Sequence, residues 1–121
     1  MDISQIYKLM YDDEYTVRLV EGGFILWRMN DNDRAILTSS DSTSLTFMAG
    51  AYNTNLTLKD VNEWAHKHKY SNISIDEERV VILELNLDLT GGVTQSRIDS
   101  FLATCIEDHD EFRIKLGEVS K

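Results

Sequence analysis

From Leu58 to Leu89 the apolar residues change their spacing from helical to strictly alternating, and that change predicts two kinds of element. In LKDVNEWAHKHKY, Leu58, Val61, Trp64, Ala65 and His68 recur at intervals of three and four, which predicts an amphipathic helix. Lys59, Glu63, Lys67 and Lys69 take its other face. Thr57 with Asp60 three residues on supplies a capping box at its start. In NISID, Ile73 and Ile75 alternate with Asn72, Ser74 and Asp76, which predicts a strand with one dry face. After a polar turn, Asp76 to Arg79, the run VVILELNLDL puts Val81, Leu83, Leu85, Leu87 and Leu89 on one side and Glu84, Asn86 and Asp88 on the other. Burial of such residues is worth roughly 1.5–3 kcal/mol each before entropy is counted. A slip of one residue would bring those three polar side chains inward, so the register is strongly specified.

The preceding half repeats the same logic with shorter elements. Ile3, Ile6, Tyr7 and Met10 predict a first helix, capped by Asp2 with Gln5 and stopping by about Tyr11, because the acids Asp12 to Glu14 oppose the negative end of the helix dipole. Thr16 to Val20 alternates with Val17 and Leu19 inward, and Gly22-Gly23 provides a hairpin turn. Phe24 to Met29 is apolar on both faces, broken only by Arg28. Asn30 to Asp33 is turn chemistry, Ala35 to Thr38 a short strand, and Ser39 to Ser44 another turn. Leu45, Phe47 and Ala49 then alternate with Thr46 and Met48. Beyond Gly91-Gly92, Thr94 caps a last helix whose inner stripe is Ile98, Phe101, Leu102, Cys105, His109, Phe112 and Leu116, with Gly117 as its expected stop. The predicted order is helix, three or four strands, helix, two strands, helix. That order implies an α+β fold in which the helices cover one face of an antiparallel sheet.

Composition narrows the class. A chain of 121 residues that is 42% hydrophobic can build one core, so residues 1–121 are expected to form a single domain. No apolar run reaches the length of a membrane span, and the first residues lack a basic-then-apolar signal pattern, so a cytoplasmic protein without membrane partners is expected. The single cysteine, Cys105, excludes an internal disulfide. A net charge of −9 opposes binding to nucleic acid.

The segment NEWAHKHKYSNISIDEERVVILELNLDLTGGVT resembles the YbjN family, described as bacterial sensory-transduction regulators, through Asn62, Trp64, Tyr70, Ile73, Ile75, Leu85, Leu87, Gly92 and Val93. Ala65 stands where that family usually has a second Asn, which removes the Asn pair as a polar site. The resemblance implies a fold like that of the type III secretion chaperones. It also implies a non-catalytic, protein-binding role, often as a dimer, so a protein partner or a homodimer is expected.

Chemically suggestive residues each meet a plainer reading. His66 and His68 lie about 200° apart on a helix and cannot share a metal ion. His109 sits among Glu107, Asp108, Asp110 and Glu111, which would suit a metal-dependent sensor or small enzyme, but its spacing places it on the apolar stripe. Asp31 and Asp33 lack the Gly and terminal Glu of a calcium loop. Cys105 belongs to the inner stripe, as a structural thiol. Gly91-Gly92 lacks a phosphate-loop context. No metal, cofactor or catalytic site is expected. There remains a surplus of apolar residues on the second sheet face: Phe24, Leu26, Met48, Val80 and Ile82. If the helices cover only the first face, these five form a surface for a protein partner or a second copy. If a loop or the long helix covers them, they are core.

Overall fold

The computed structural model describes residues 2–31, 33–39, 43–52 and 55–119. The elements run α1 (Ile3–Asp12), β1 (Val17–Val20), β2 (Phe24–Arg28), β3 (Arg34–Thr38), β4 (Ser44–Tyr52), α2 (Leu58–Lys67), β5 (Ser71–Ile75), β6 (Val80–Asp88) and α3 (Gln95–Val119). Residues 40–42 of the expected turn from Ser39 to Ser44, and residue 32 of the one from Asn30 to Asp33, lie outside the described residues. The strands form one sheet in the order β1-β2-β3-β4-β6-β5, antiparallel at every neighbouring pair. The two longest strands, β4 and β6, pair over their full length, from Ser44 opposite Asp88 to Tyr52 opposite Val80. Between those two strands the chain makes an excursion through α2 and the edge strand β5.

Alternation decides which face each strand buries. Ile25, Trp27, Ala35, Leu37, Leu45, Phe47, Ala49, Ile73, Val81, Leu83, Leu85 and Leu87 point to one side and are all buried. They share one apolar cluster with Ile6 and Met10 of α1, Trp64 of α2, and Ile98, Phe101, Leu102, Cys105 and Phe112 of α3. All three helices therefore lie on that side of the sheet. Phe47 stands edge-on to Trp27 and to the His109 ring, with centroids 5.7 and 6.5 Å away, and so joins sheet to long helix.

The caps have the side-chain chemistry expected of them. The Asp2 carboxylate accepts from the Gln5 amide and the Gln5 side chain accepts from the Asp2 amide. At α2, the Thr57 hydroxyl accepts from the Asp60 amide while the Asp60 carboxylate accepts from the Thr57 amide at 2.9 Å. Lys115 of α3 donates to the same carboxylate at 3.1 Å. These donors, the Thr57 amide foremost, hold the Asp60 carboxyl below the usual aspartate range. Such a group stabilises the fold fully above its unfolded pKa of about 3.9 and loses that contribution as pH falls through the lower folded value. Asp60→Ala is accordingly expected to cost about 1 kcal/mol at pH 7. Urea titrations at pH 7 and pH 3 should show the gap between wild type and variant closing in acid.

Four details depart from the sequence pattern. The first helix runs one residue further than Tyr11 and is ended by Glu14, whose φ of 66° is left-handed, with the Tyr15 amide donating back to the Met10 carbonyl. Gly117 does not stop α3, which continues to Val119; glycine within an exposed last turn costs only about 1 kcal/mol and takes helical angles freely. Leu58 and Ala65 are exposed, Leu58 at 76%, because α2 meets the core along the narrower line Val61 and Trp64. Leu19 faces the helix side but is 38% exposed, since β1 is an edge strand with a neighbour on one side only.

Candidate functional site

The face opposite the helices is set by the same alternation. Strand register places Arg18, Leu26, Ile36, Met48, Glu84 and Asn72 in one row across the whole sheet. A second row runs Val20, Phe24, Thr38, Thr46 and Asn86. On the other flank Gly50, Ile82 and Ser74 align, with Tyr52 beside Val80 next along the strands. Directly opposed side chains in such rows lie within contact reach, and diagonal ones are reachable by long side chains. Leu26, Ile36 and Met48 therefore make a continuous apolar bar, with Phe24 diagonal to Ile36, Ile82 diagonal to Met48, and Val80 two residues further along β6 opposite Tyr52.

Each of these six residues is half-buried, and none belongs to the core or packs against it. The five residues read from sequence thus share one face, where the register sets Leu26 and Met48 on either side of one β3 residue with Phe24 and Ile82 diagonal to that line, and leaves Val80 farther along β6. The sixth, Ile36, has no such sequence signal. Its strand, Ala35 to Thr38, is too short for a surplus on one face to stand out, yet it is the middle of the bar.

Charge is unevenly placed around the bar. Arg18, Arg28 and Arg34 lie at the β1–β3 end, while Glu84 and Asp88 lie on β6. Arg28 and Arg34 stand directly opposite each other, an unfavourable pairing of like charges that Asp31, 3.7 Å from Arg28, relieves. In a chain of net charge −9 this is a local basic margin.

The other candidates fall into structural roles. His109 is 3% exposed and packed between Phe47 and Phe112, where burial pushes its pKa down and favours the neutral ring. Burial here turns the His109 ring away from solvent, against a metal-binding use. Cys105 is fully buried, and desolvation raises its thiol far above the range of a reactive thiolate. Asp33 pairs with Arg113 of α3 at 2.6 Å and bonds with Asn30 within its turn, so it anchors a helix. Gly91 and Gly92 have φ of 80° and 86° and serve the turn into α3. His66 is exposed. His68, expected on the apolar stripe of α2, stacks on Trp64 with centroids 3.7 Å apart and reaches Glu111 of α3 through Nε2. No sequence signal joins it to α3, since the pair is 43 residues apart.

The family motif maps onto this framework. Trp64 is buried and donates from Nε1 to the Ser71 hydroxyl at 3.1 Å; Ile73, Leu85 and Leu87 are core; Val93 packs against it. Asn62 and Tyr70 are exposed. Among the described residues the fold is that of an α+β protein with three helices on one face of a six-stranded antiparallel sheet. The chain belongs to the YbjN family, whose model, described as "Putative bacterial sensory transduction regulator", matches residues 3–118. Among solved structures it is similar to YbjN of E. coli, described as "a putative transcription regulator", with a TM-score of 0.64 and 12% identity over 93% of this chain and 94% of that one. It is also similar to a chain of the ExsC–ExsE complex, with a TM-score of 0.66 and 20% identity over 96% of each. No curated protein sequence matches. Among the described residues no helix is long and apolar enough to cross a membrane.

Proposed function

We propose that this chain is a non-catalytic binding protein, chaperone-like or regulatory, that acts in the cytoplasm as a homodimer or with a protein partner through the outer face of its sheet. The observation that carries the reading is the bar of Leu26, Ile36 and Met48, flanked by Phe24, Val80 and Ile82 and left open by all three helices. Apolar residues gathered in one place mark contact surfaces, whereas the same residues scattered singly would not. The charge around the bar favours a second copy. A basic margin at one end and Glu84 and Asp88 towards the other become complementary when a copy is turned through 180°, the relation that a two-fold interface imposes. The opposed pair Arg28 and Arg34 would then gain acidic neighbours. Family membership and fold agree with a regulatory or binding role, and one structure of this fold is itself a complex of two proteins.

The test is the doubly substituted chain Leu26→Asp, Ile82→Asp. Both side chains already touch solvent in the single molecule, so its circular dichroism should match wild type. Two carboxylates buried at the centre of an interface should weaken self-association at least about 100-fold. Light scattering and sedimentation across a concentration series should show a wild-type dimer and a variant monomer. Equal association of the two proteins would exclude this face as the contact.

A further inference from the structure

Across the strands, rather than along them, the outer face of the sheet has an internal symmetry. From β1 to β6 the register sets Arg18, Leu26, Ile36, Met48 and Glu84 side by side. Three apolar residues are bounded by a cation at one end and a carboxylate at the other, with Ile36 in the middle. Neighbouring strands lie about 4.8 Å apart, so each charge stands roughly 10 Å from Ile36. Neither charge is answered within the molecule. Among the described residues Arg18 has no ion pair, and Glu84 accepts only a long bond, 3.4 Å, from Asn86. Asn72, next in the row on β5, is neutral.

Such a row is complementary to its own reverse. Let a second copy face it, turned through 180° about an axis that runs along the strands through Ile36. Ile36 then meets Ile36, Leu26 meets Met48, and Arg18 of each copy meets Glu84 of the other. Other axes lose this match. Moved half a strand spacing towards β4, the axis sets Glu84 on Leu26 and Arg18 on Asn72; moved as far towards β1, it sets Arg18 on Met48. An axis along the row itself brings Arg18 to Arg18 and Glu84 to Glu84. Sheets stacked face to face keep their strands within about 30° of each other, an offset that side chains as long as Arg and Glu can span.

The rows on either side accommodate the same axis. Val20, Phe24, Thr38, Thr46 and Asn86 carry no charge. On the other side Arg28 comes over Gly50, where no side chain blocks its way to Glu84 on the diagonal. Arg34 lies beside the axis and meets its own copy, which is the one cost. It is exposed at the start of β3, so its head group can extend past the strand end into water.

The geometry points to a second copy of this chain docked on the outer face in this one orientation, with Arg18 and Glu84 as the pair that sets the register. The inference rests on the reading of that face as a contact surface, and adds to it the occupant, the axis and the residues that select them. The apolar centre supplies most of the affinity, while the charges at the rim fix orientation and reject partners of the wrong sign.

The test is sedimentation and light scattering of the full chain carrying Arg18→Glu or Glu84→Arg, each alone and the two mixed. Alone, each variant sets like charges together at both ends of the row and should dimerise at least about tenfold more weakly than wild type. The Arg18→Glu chain has acids at both ends and the Glu84→Arg chain bases at both, so an equimolar mixture should regain wild-type affinity. Both residues reach solvent on the outer face, and circular dichroism confirms that the variants are folded. Wild-type association in both single variants would overturn the register, and the contact surface itself would stand if Leu26→Asp, Ile82→Asp is monomeric in the same assay. Weakened variants that fail to recover on mixing would overturn it too. A wild type that stays monomeric, or a Leu26→Asp, Ile82→Asp chain that associates like wild type, would instead remove the surface on which the inference rests.

Discussion

Leu83→Asp should abolish folding, while Ile82→Asp, one position earlier on the same strand, should leave the monomer intact. Leu83 is fully buried, opposite Ala49 on one side and Ile73 on the other, beneath the helices. An aspartate there loses the burial of an entire leucine and brings a carboxylate into apolar surroundings with no cation to meet it. The cost is at least several kcal/mol even if the carboxyl takes up a proton, against a total stability of about 5–15 kcal/mol for an ordinary domain. Ile82 faces the other way, beside Gly50 and Ser74, and already touches solvent. Its replacement should change stability by about 1 kcal/mol or less. Far-ultraviolet circular dichroism with urea titration measures both. Comparable loss in the two variants would mean that the outer face is as sealed as the inner one, and would remove the basis for a contact surface there.

Phe47→Ala is expected to be the most damaging truncation of the core, at about 3–5 kcal/mol. Phe47 is fully buried on β4, the strand that joins the β1–β3 half of the sheet to the β6–β5 half. Its ring meets Trp27 from β2 and His109 from α3, both near edge-on, the geometry in which aromatic pairs gain beyond simple burial. Removing it opens a cavity between three elements that are each held by other contacts and cannot collapse into it. Thermal unfolding at pH 7 checks the loss. A cost below about 1.5 kcal/mol would mean that the long helix closes on the sheet by rearrangement, and that the core is looser than its burial indicates.

The long period-two run of β6 and the period-3.6 stripes of the helices leave little freedom in element type, because only one phase of each buries leucines and valines instead of acids. The caps are equally legible: Asp2 with Gln5 and Thr57 with Asp60 are local chemistry, spaced by one turn. Boundaries are less so. Gly117 can end a helix or continue it, and the choice rests with the residues after it rather than with the glycine itself. Leu58 fits the spacing of the buried face, yet it lies where α2 has passed the edge of the surface it packs on.

The candidate surface divides in the same manner. Alternation alone assigns Phe24, Leu26, Met48, Val80 and Ile82 to the second face of their strands, since the inner residues of each strand are already set by the same period. Whether they touch depends on strand order, which has no local signature: had β3 not paired between β2 and β4, the bar through Ile36 would not exist. The contact of His68 with Glu111 is more remote still from anything periodic. One comes from the end of α2 and the other from α3, and their meeting reflects how the core seats α2 against α3. The order of residues along the chain thus dictates the elements, their dry sides and the apolar surplus, because those depend on near neighbours. Adjacency belongs to the folded molecule alone, because it is set by packing between residues far apart in the chain.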